Sequence, residues 1–163
     1  MKYSTNSLEA LANAILVSFG CNKEECDIVS EHLVRANLSG HDSHGIGMLP
    51  VYGKQVEDGN LIPNQTPEVV STAGAVTVVD AKRGFGHRMA LLALDEAINS
   101  CRKNKVAVLG LRNSGHVSRT GHYSEYCAKH GLISLHFVNV WGHAPLVAAH
   151  GSSEPSFLSL IHI

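Results

Sequence analysis

No apolar run in this sequence approaches the roughly 20 residues that a membrane-spanning helix needs. The first residues lack a basic stretch followed by an apolar one, so no secretory leader is read there and the cytoplasm is the expected compartment. Lys and Arg number 13 against 14 Asp and Glu, for a formal net charge of -1 with His neutral. That balance offers no basic footprint for nucleic acid, and no membrane surface partner is read either. Four cysteines are present, Cys21, Cys26, Cys101 and Cys127, and none forms a C-x-x-C pair. Structural zinc and thiol redox chemistry are therefore not expected, and the cysteines read as reduced packing residues. The chain also lacks G-x-G-x-x-G, because Pro50 follows Gly45-Ile46-Gly47 and Met89 follows Gly84-Phe85-Gly86 where the third glycine would stand. The Rossmann dinucleotide fingerprint is thus absent, as are the P-loop and the G-x-S-x-G nucleophile elbow.

What is present is an ordinary globular composition. Of 163 residues, 44% are hydrophobic and 17% charged, enough to bury a core without disulfides. Ser7 can cap a first helix whose Leu8, Leu11, Ala12, Ile15, Leu16 and Phe19 recur on one face, with Gly20 to end it. A second helix is expected over 23–39, stopped by Gly40. Pro50 suits the first turn of a third, which carries Tyr52, Gln55 and Val56 and ends at Asp58-Gly59.

The texture then changes. Residues 68–71 and 75–80 read as two strands around a turn at Ala73-Gly74, and 88–104 as a helix. Residues 106–111 read as a buried strand, 113–121 as a polar loop, 123–130 as a short helix and 132–140 as a further strand. Helices first, then alternating strand and helix, predict an α/β fold. Residues 1–70 form its helical N-terminal segment and 71–157 part of a mixed-sheet domain. The tail, residues 158–163, matches nothing before it and reads as a non-native extension of an incomplete reading frame.

Eleven histidines are the compositional oddity. Two lie in polar, glycine-rich segments. In Asp42-Ser43-His44-Gly45, an imidazole suits proton transfer near neutrality, a neighbouring serine can orient it, and Gly45 and Gly47 let a ligand approach the backbone. Asn113-Ser114-Gly115-His116 follows a strand, where scaffolds place functional groups. Taken singly, each motif reads more readily as a turn histidine than as a functional one. A metal site lacks a strong signature: His41 and His44 are three apart, and His116 and His122 six apart. A non-catalytic, helix-mediated interaction domain and, more remotely, a metal-binding hydrolase stand as alternatives to an enzyme built on these two motifs.

Several segments together resemble the malate/L-lactate dehydrogenase family, which includes ureidoglycolate dehydrogenase and diketogulonate reductase. They are Asp42-Ser43-His44-Gly45-Ile46, Leu49-Pro50 with Tyr52, Gly84-Phe85-Gly86, Asn113-Ser114-Gly115-His116, Gly121 with Tyr123, and Gly131-Leu132-Ile133. The resemblance runs to about Phe157. It implies a non-Rossmann NAD(P)-binding fold and hydride transfer between NAD or NADP and a 2-hydroxy acid/2-keto acid pair such as malate, lactate or ureidoglycolate. It assigns acid–base catalysis to His44, with Ser43 and His116 at the same site. Substrate contacts fall on Met48, Tyr52 and Arg119, and cofactor contacts on Gly121, His122 and Asn139. Met48 departs from the family, where an arginine often stands and can pair with a substrate carboxylate. The resemblance also implies a homodimer at full length, and about half of such a protein is expected beyond this sequence.

Overall fold

The computed structural model describes residues 3–140, 147–148 and 150–157. The expected tail at 158–163 lies outside the described residues. The chain opens with two helices packed on each other, α1 (Thr5–Ser18) and α2 (Lys23–Leu38). Ser4, not Ser7, caps α1: its hydroxyl accepts from the Ser7 N–H at 3.2 Å. Both serines suit the role chemically, and the one a full turn earlier starts the helix. Asn22 caps α2 in the same way, through the Glu25 N–H. Gly20 and Gly40 end the two helices at positive φ, as expected.

After α2 the chain makes two short 3-10 turns, Asp42–His44 and Ile46–Met48, and enters α3 (Leu49–Glu57) with Pro50 in its first turn. Asn64 then ties this part together. Its side chain accepts from the Asn22 N–H and donates to the Gly20 carbonyl, while its own N–H donates to buried Glu25.

The strand pair β1 (Glu68–Ala73) and β2 (Val76–Asp80) forms an antiparallel hairpin, with Gly74 at φ 58° in its turn. From β2 the chain passes through α4 (Gly86–Asn104) to β3 (Val108–Arg112), which lies parallel to β2. The sheet is therefore mixed, in the order β1-β2-β3. The strand expected from 106 begins at Val108, since ladder pairing starts at Val76↔Val108. A short helix, α5 (Gly121–Lys129), packs on α4. Later residues add a two-stranded pair, β4 (Val147–Ala148) and β5 (Pro155–Phe157).

The strand expected at 132–140 is not formed. Burial does alternate there: Leu132, Ser134 and His136 are half-buried, while Ile133 and Phe137 are 100% and 92% exposed. Period-two patterning fixes which way side chains point, but a strand also needs a neighbouring backbone to pair with. None of the described strands pairs with this segment.

The main core joins the first three helices to the start of α4. Ala12, Leu16, Val29, Leu33, Leu49, Tyr52, Leu61 and Phe85 form one buried cluster. Each large side chain sealed there contributes on the order of 1.5–3 kcal/mol. Tyr52 meets Phe85 edge to face, with ring centres 5.9 Å apart. That contact brings α3 against the loop entering α4, where the chemistry-bearing residues gather. Among the described residues, no helix is long and apolar enough to cross a membrane.

Candidate active site

Two loops meet at the carboxyl ends of the parallel strands β2 and β3, the edge at which open α/β sheets commonly receive ligands. One runs from Ala81 to Phe85, the other from Asn113 to Thr120. They are joined backbone to backbone: Gly115 N–H donates to the Gly84 carbonyl at 3.0 Å. A Cβ on Gly86 would overlap the carbonyl oxygens of Gly115 and His116. Only glycine permits this approach, and the approach fixes the backbone of His116.

The segment bearing Ser43 and His44 is held from α2. Asn37 accepts from the Ile46 N–H at 2.8 Å and donates to Asp42 at 2.5 Å. Its side-chain amide lies where a Cβ of Gly45 would be, so Gly45 gives it room. Ser118 fastens the same segment from the other loop, its hydroxyl donating to the His44 carbonyl at 2.9 Å.

These supports bring the His44 and His116 rings to 5.3 Å between centres. Ser43 Oγ lies 2.9 Å from His44 Nδ1. Tyr52, buried in the core, reaches up with its hydroxyl 2.7 Å from His116 Nδ1. The same hydroxyl lies 3.4 Å from Nε2 of His87, which is fully buried on α4.

The environments tune the rings. Burial, with a smaller push from His41, lowers the pKa of His44 below the ordinary histidine value. Burial and the neighbouring His44 bring His116 down to about 4. His87 lies well below the usual range, again through burial first and then the surrounding histidines. Burial raises Tyr52, so its hydroxyl stays protonated at any working pH. At neutral pH His116 is therefore a neutral ring, a hydrogen-bond donor and acceptor and not an acid.

The remaining sequence-predicted residues lie as follows. Met48 is partly buried and packs against the main core. Arg119 donates to Glu125 at 2.7 Å, and Glu125 also binds Arg35 at 3.0 Å. The His122 ring lies tilted against His32, centres 3.5 Å apart. Gly121 opens α5 with no side-chain cap, and Asn139 is exposed. Among the described residues, no three His, Cys, Asp or Glu side chains converge as a metal site. Sequence reading missed Asn37, His87 and Ser118. His87 and Ser118 act on residues far along the chain, Asn37 on a segment nine residues on, and nothing in their immediate neighbours signals those partners.

Comparisons with known proteins find relatives along most of this chain. The malate/L-lactate dehydrogenase family model matches residues 3–157. Hydroxycarboxylate dehydrogenase B of Escherichia coli K12 is 36% identical over 156 residues, covering 96% of this chain and 43% of that protein. The L-lactate dehydrogenase of Cupriavidus necator is 34% identical, with 93% of this chain and 43% of the relative covered. Among solved structures, sulfolactate dehydrogenase from Methanocaldococcus jannaschii superposes with a TM-score of 0.75 at 30% identity, over 80% of this chain and 38% of that one. Delta1-piperideine-2-carboxylate reductase from Pseudomonas syringae pvar. tomato gives 0.71 at 29% identity, over 80% and 40%. The chain thus spans less than half the length of the curated relatives it matches.

Proposed function

The chain belongs to the malate/L-lactate dehydrogenase family, and from that premise we propose that it supplies the acid–base side of an oxidoreductase interconverting 2-hydroxy acids and 2-keto acids with NAD or NADP. The observation that carries this reading is the convergence of His44 and His116 from two separate loops, each ring held at Nδ1 by a hydroxyl. A lone turn histidine needs no such partner.

A bound nicotinamide supplies or accepts the hydride. Everything else falls to this chain. In reduction, His44 donates a proton from its ring to the former carbonyl oxygen, and in oxidation it takes that proton back. Ser43 steadies the ring by accepting from Nδ1–H in both the charged and the neutral form, so that Nε2 gives up the proton in reduction and takes it back in oxidation. His116 stays neutral and presents its free Nε2 to the substrate oxygen. Two histidines in one site thus divide two tasks by environment.

The residues assigned to the cofactor suit a phosphate-bearing group in one respect: α5 starts uncapped at Gly121, beside the Arg119 guanidinium. His122 has its ring turned onto His32, and its N–H donates to the Arg119 carbonyl. Asn139 is exposed and open to a ligand. Met48 offers no charge to a substrate carboxylate, which leaves Arg119, already shared with Glu125, as the candidate. A homodimer working in the cytoplasm completes the proposal.

The test is direct. The complete gene product, freed of metals with a chelator, is mixed with NADH or NADPH and a panel of 2-keto acids, and loss of reduced cofactor is followed. Turnover with at least one keto acid is expected. Turnover with none of them, or turnover abolished by the chelator and restored by a divalent metal, would sink the reading.

A further inference from the structure

His116 can help a substrate oxygen only if the ring nitrogen facing the site carries the proton. Its other nitrogen, Nδ1, lies 2.7 Å from Tyr52 Oη. If Nδ1 carried the proton, Nε2 would face the substrate as a bare lone pair and would repel a carbonyl oxygen. Something must therefore hold the hydroxyl of Tyr52 as donor toward His116.

The far side of His87 decides the direction, since the 2.7 Å contact suits a hydrogen bond either way and the 3.4 Å contact to His87 is simply a longer one. That ring is fully buried, and its Nδ1 has no partner. A buried N–H left without an acceptor costs more than a buried lone pair on an imidazole. The proton of His87 therefore sits on Nε2, where Tyr52 Oη accepts it. With its acceptor site on that side filled, the Tyr52 hydroxyl turns its own hydrogen onto His116 Nδ1.

We propose that His87 is a positioning residue: through Tyr52 it fixes His116 in the tautomer that aims Nε2–H into the site. The proposal rests on the keto-acid reading of the site only for what that N–H does, not for the hydrogen-bond chain itself. The groups facing His87 fit a ring that stays neutral. From α2 comes His32, edge-on at 5.5 Å; from α3, Tyr52; from the 113–120 loop, His116 at 6.4 Å; and from α5, His122. Among the described residues, the charges acting on it are those of histidines and no carboxylate.

The test reads tautomers first and kinetics second. Long-range 1H–15N spectra of the complete gene product labelled with 15N-histidine show which nitrogen of each ring is protonated. In the wild type, His87 and His116 are both expected to carry the proton on Nε2. H87Q keeps an N–H donor within reach of Tyr52 and should preserve the His116 tautomer and most of kcat. H87L removes the donor. It should mix the His116 tautomers and lower kcat roughly 10–100-fold, the range seen when partners that orient metal-bound histidines are removed. KM should change little, because the lost interaction strengthens in the transition state. A wild-type His116 protonated on Nδ1 overturns the proposal outright, whether or not H87L folds. So does an H87L protein as active as wild type, or an H87Q protein no better than H87L. If the tautomers are as assigned but no keto acid is reduced, the hydrogen-bond chain stands and the reading of the site's chemistry falls.

Discussion

Two groups of histidines lie close together here and differ in what their ring nitrogens meet. His32 and His87 are in the core. Both nitrogens of His32 and one of His87 are buried without a partner, and the rings pack edge-on or tilted against one another as apolar groups would. His44 and His116 are where two loops meet, and each has a hydroxyl on Nδ1. Burial lowers the pKa in both groups, so a perturbed pKa does not separate structure from chemistry here. The hydrogen-bond partner does. An imidazole filling space needs only to stay neutral, whereas one handling protons must have its tautomer and orientation set from outside. His87 belongs to both groups: one nitrogen is orphaned in the core and the other reaches the site through Tyr52.

The largest expected effect lies at the rim. H44A in the complete gene product should lower kcat by about 10²–10⁴, the span typical of a lost general acid–base. The pH profile should change with it. Reduction needs His44 charged, so its kcat should decline as pH rises through the His44 pKa, which burial places below the ordinary value. Oxidation needs the neutral ring and should rise over the same interval. Both limbs should vanish in H44A. Steady-state rates across pH in both directions check this, and unchanged limbs would remove His44 from proton transfer.

A smaller effect is expected in the core, with the opposite logic. His32 is held at a pKa of about 3 by burial first and then by His122, Arg35 and Arg119. Unfolded, it would titrate near 6.5. A histidine whose folded pKa is depressed leaves stability complete above the unfolded value, and that stability drains as pH falls toward the folded one. The loss is about 1.4 kcal/mol per pH unit for each such ring. By pH 5, His32 alone should cost the wild type roughly 2 kcal/mol. H32L has no hydrogen bond to break, since both ring nitrogens lack partners. It should leave thermal stability nearly unchanged at pH 7.5 and raise it relative to wild type at pH 5. Melting curves at the two pH values decide. An H32L protein equally acid-labile would mean that the core rings do not carry the linkage.

How much of this was legible beforehand follows from the range of each signal. The first three helices could be read because apolar periodicity and a stopping glycine are local, and only the cap moved, from Ser7 to Ser4. The β-α-β order was legible for the same reason. The extended segment at 132–140 was not, because alternation in sequence cannot tell whether a partner strand exists. In the site, Ser43, His44 and His116 stood out through their glycine-rich surroundings. Their supports did not. Asn37 sits at the end of an ordinary helix, His87 follows a turn glycine that has its own reason to be there, and Ser118 is one serine among many. Each matters through contacts outside its own element, which only the folded chain displays.

The smallest expected effect tests whether the rim depends on its clamps as the core does not. Ser118 has positive φ, 57°, a conformation that strains any side chain, and its hydroxyl donates to the His44 carbonyl at 2.9 Å. The strain and the bond oppose each other. S118A loses the bond and keeps the strain, so it should be destabilised by about 1 kcal/mol, the usual worth of one buried hydrogen bond. S118G loses the same bond but relieves the backbone, because glycine reaches positive φ without a steric penalty. It should therefore be the more stable of the two, though its unfolded chain is freer. Turnover should follow a different order. Both variants lose the link between the two loops, so both should lose activity by a similar small factor, less than H87L, because Asn37 still holds the His44 segment from α2. Denaturant melts and kcat for the pair check the two orders separately. If S118A is the more stable variant, the positive φ is not a strain the hydroxyl offsets. If only one of the pair loses activity, the clamp works through the backbone of residue 118 and not through its bond to His44.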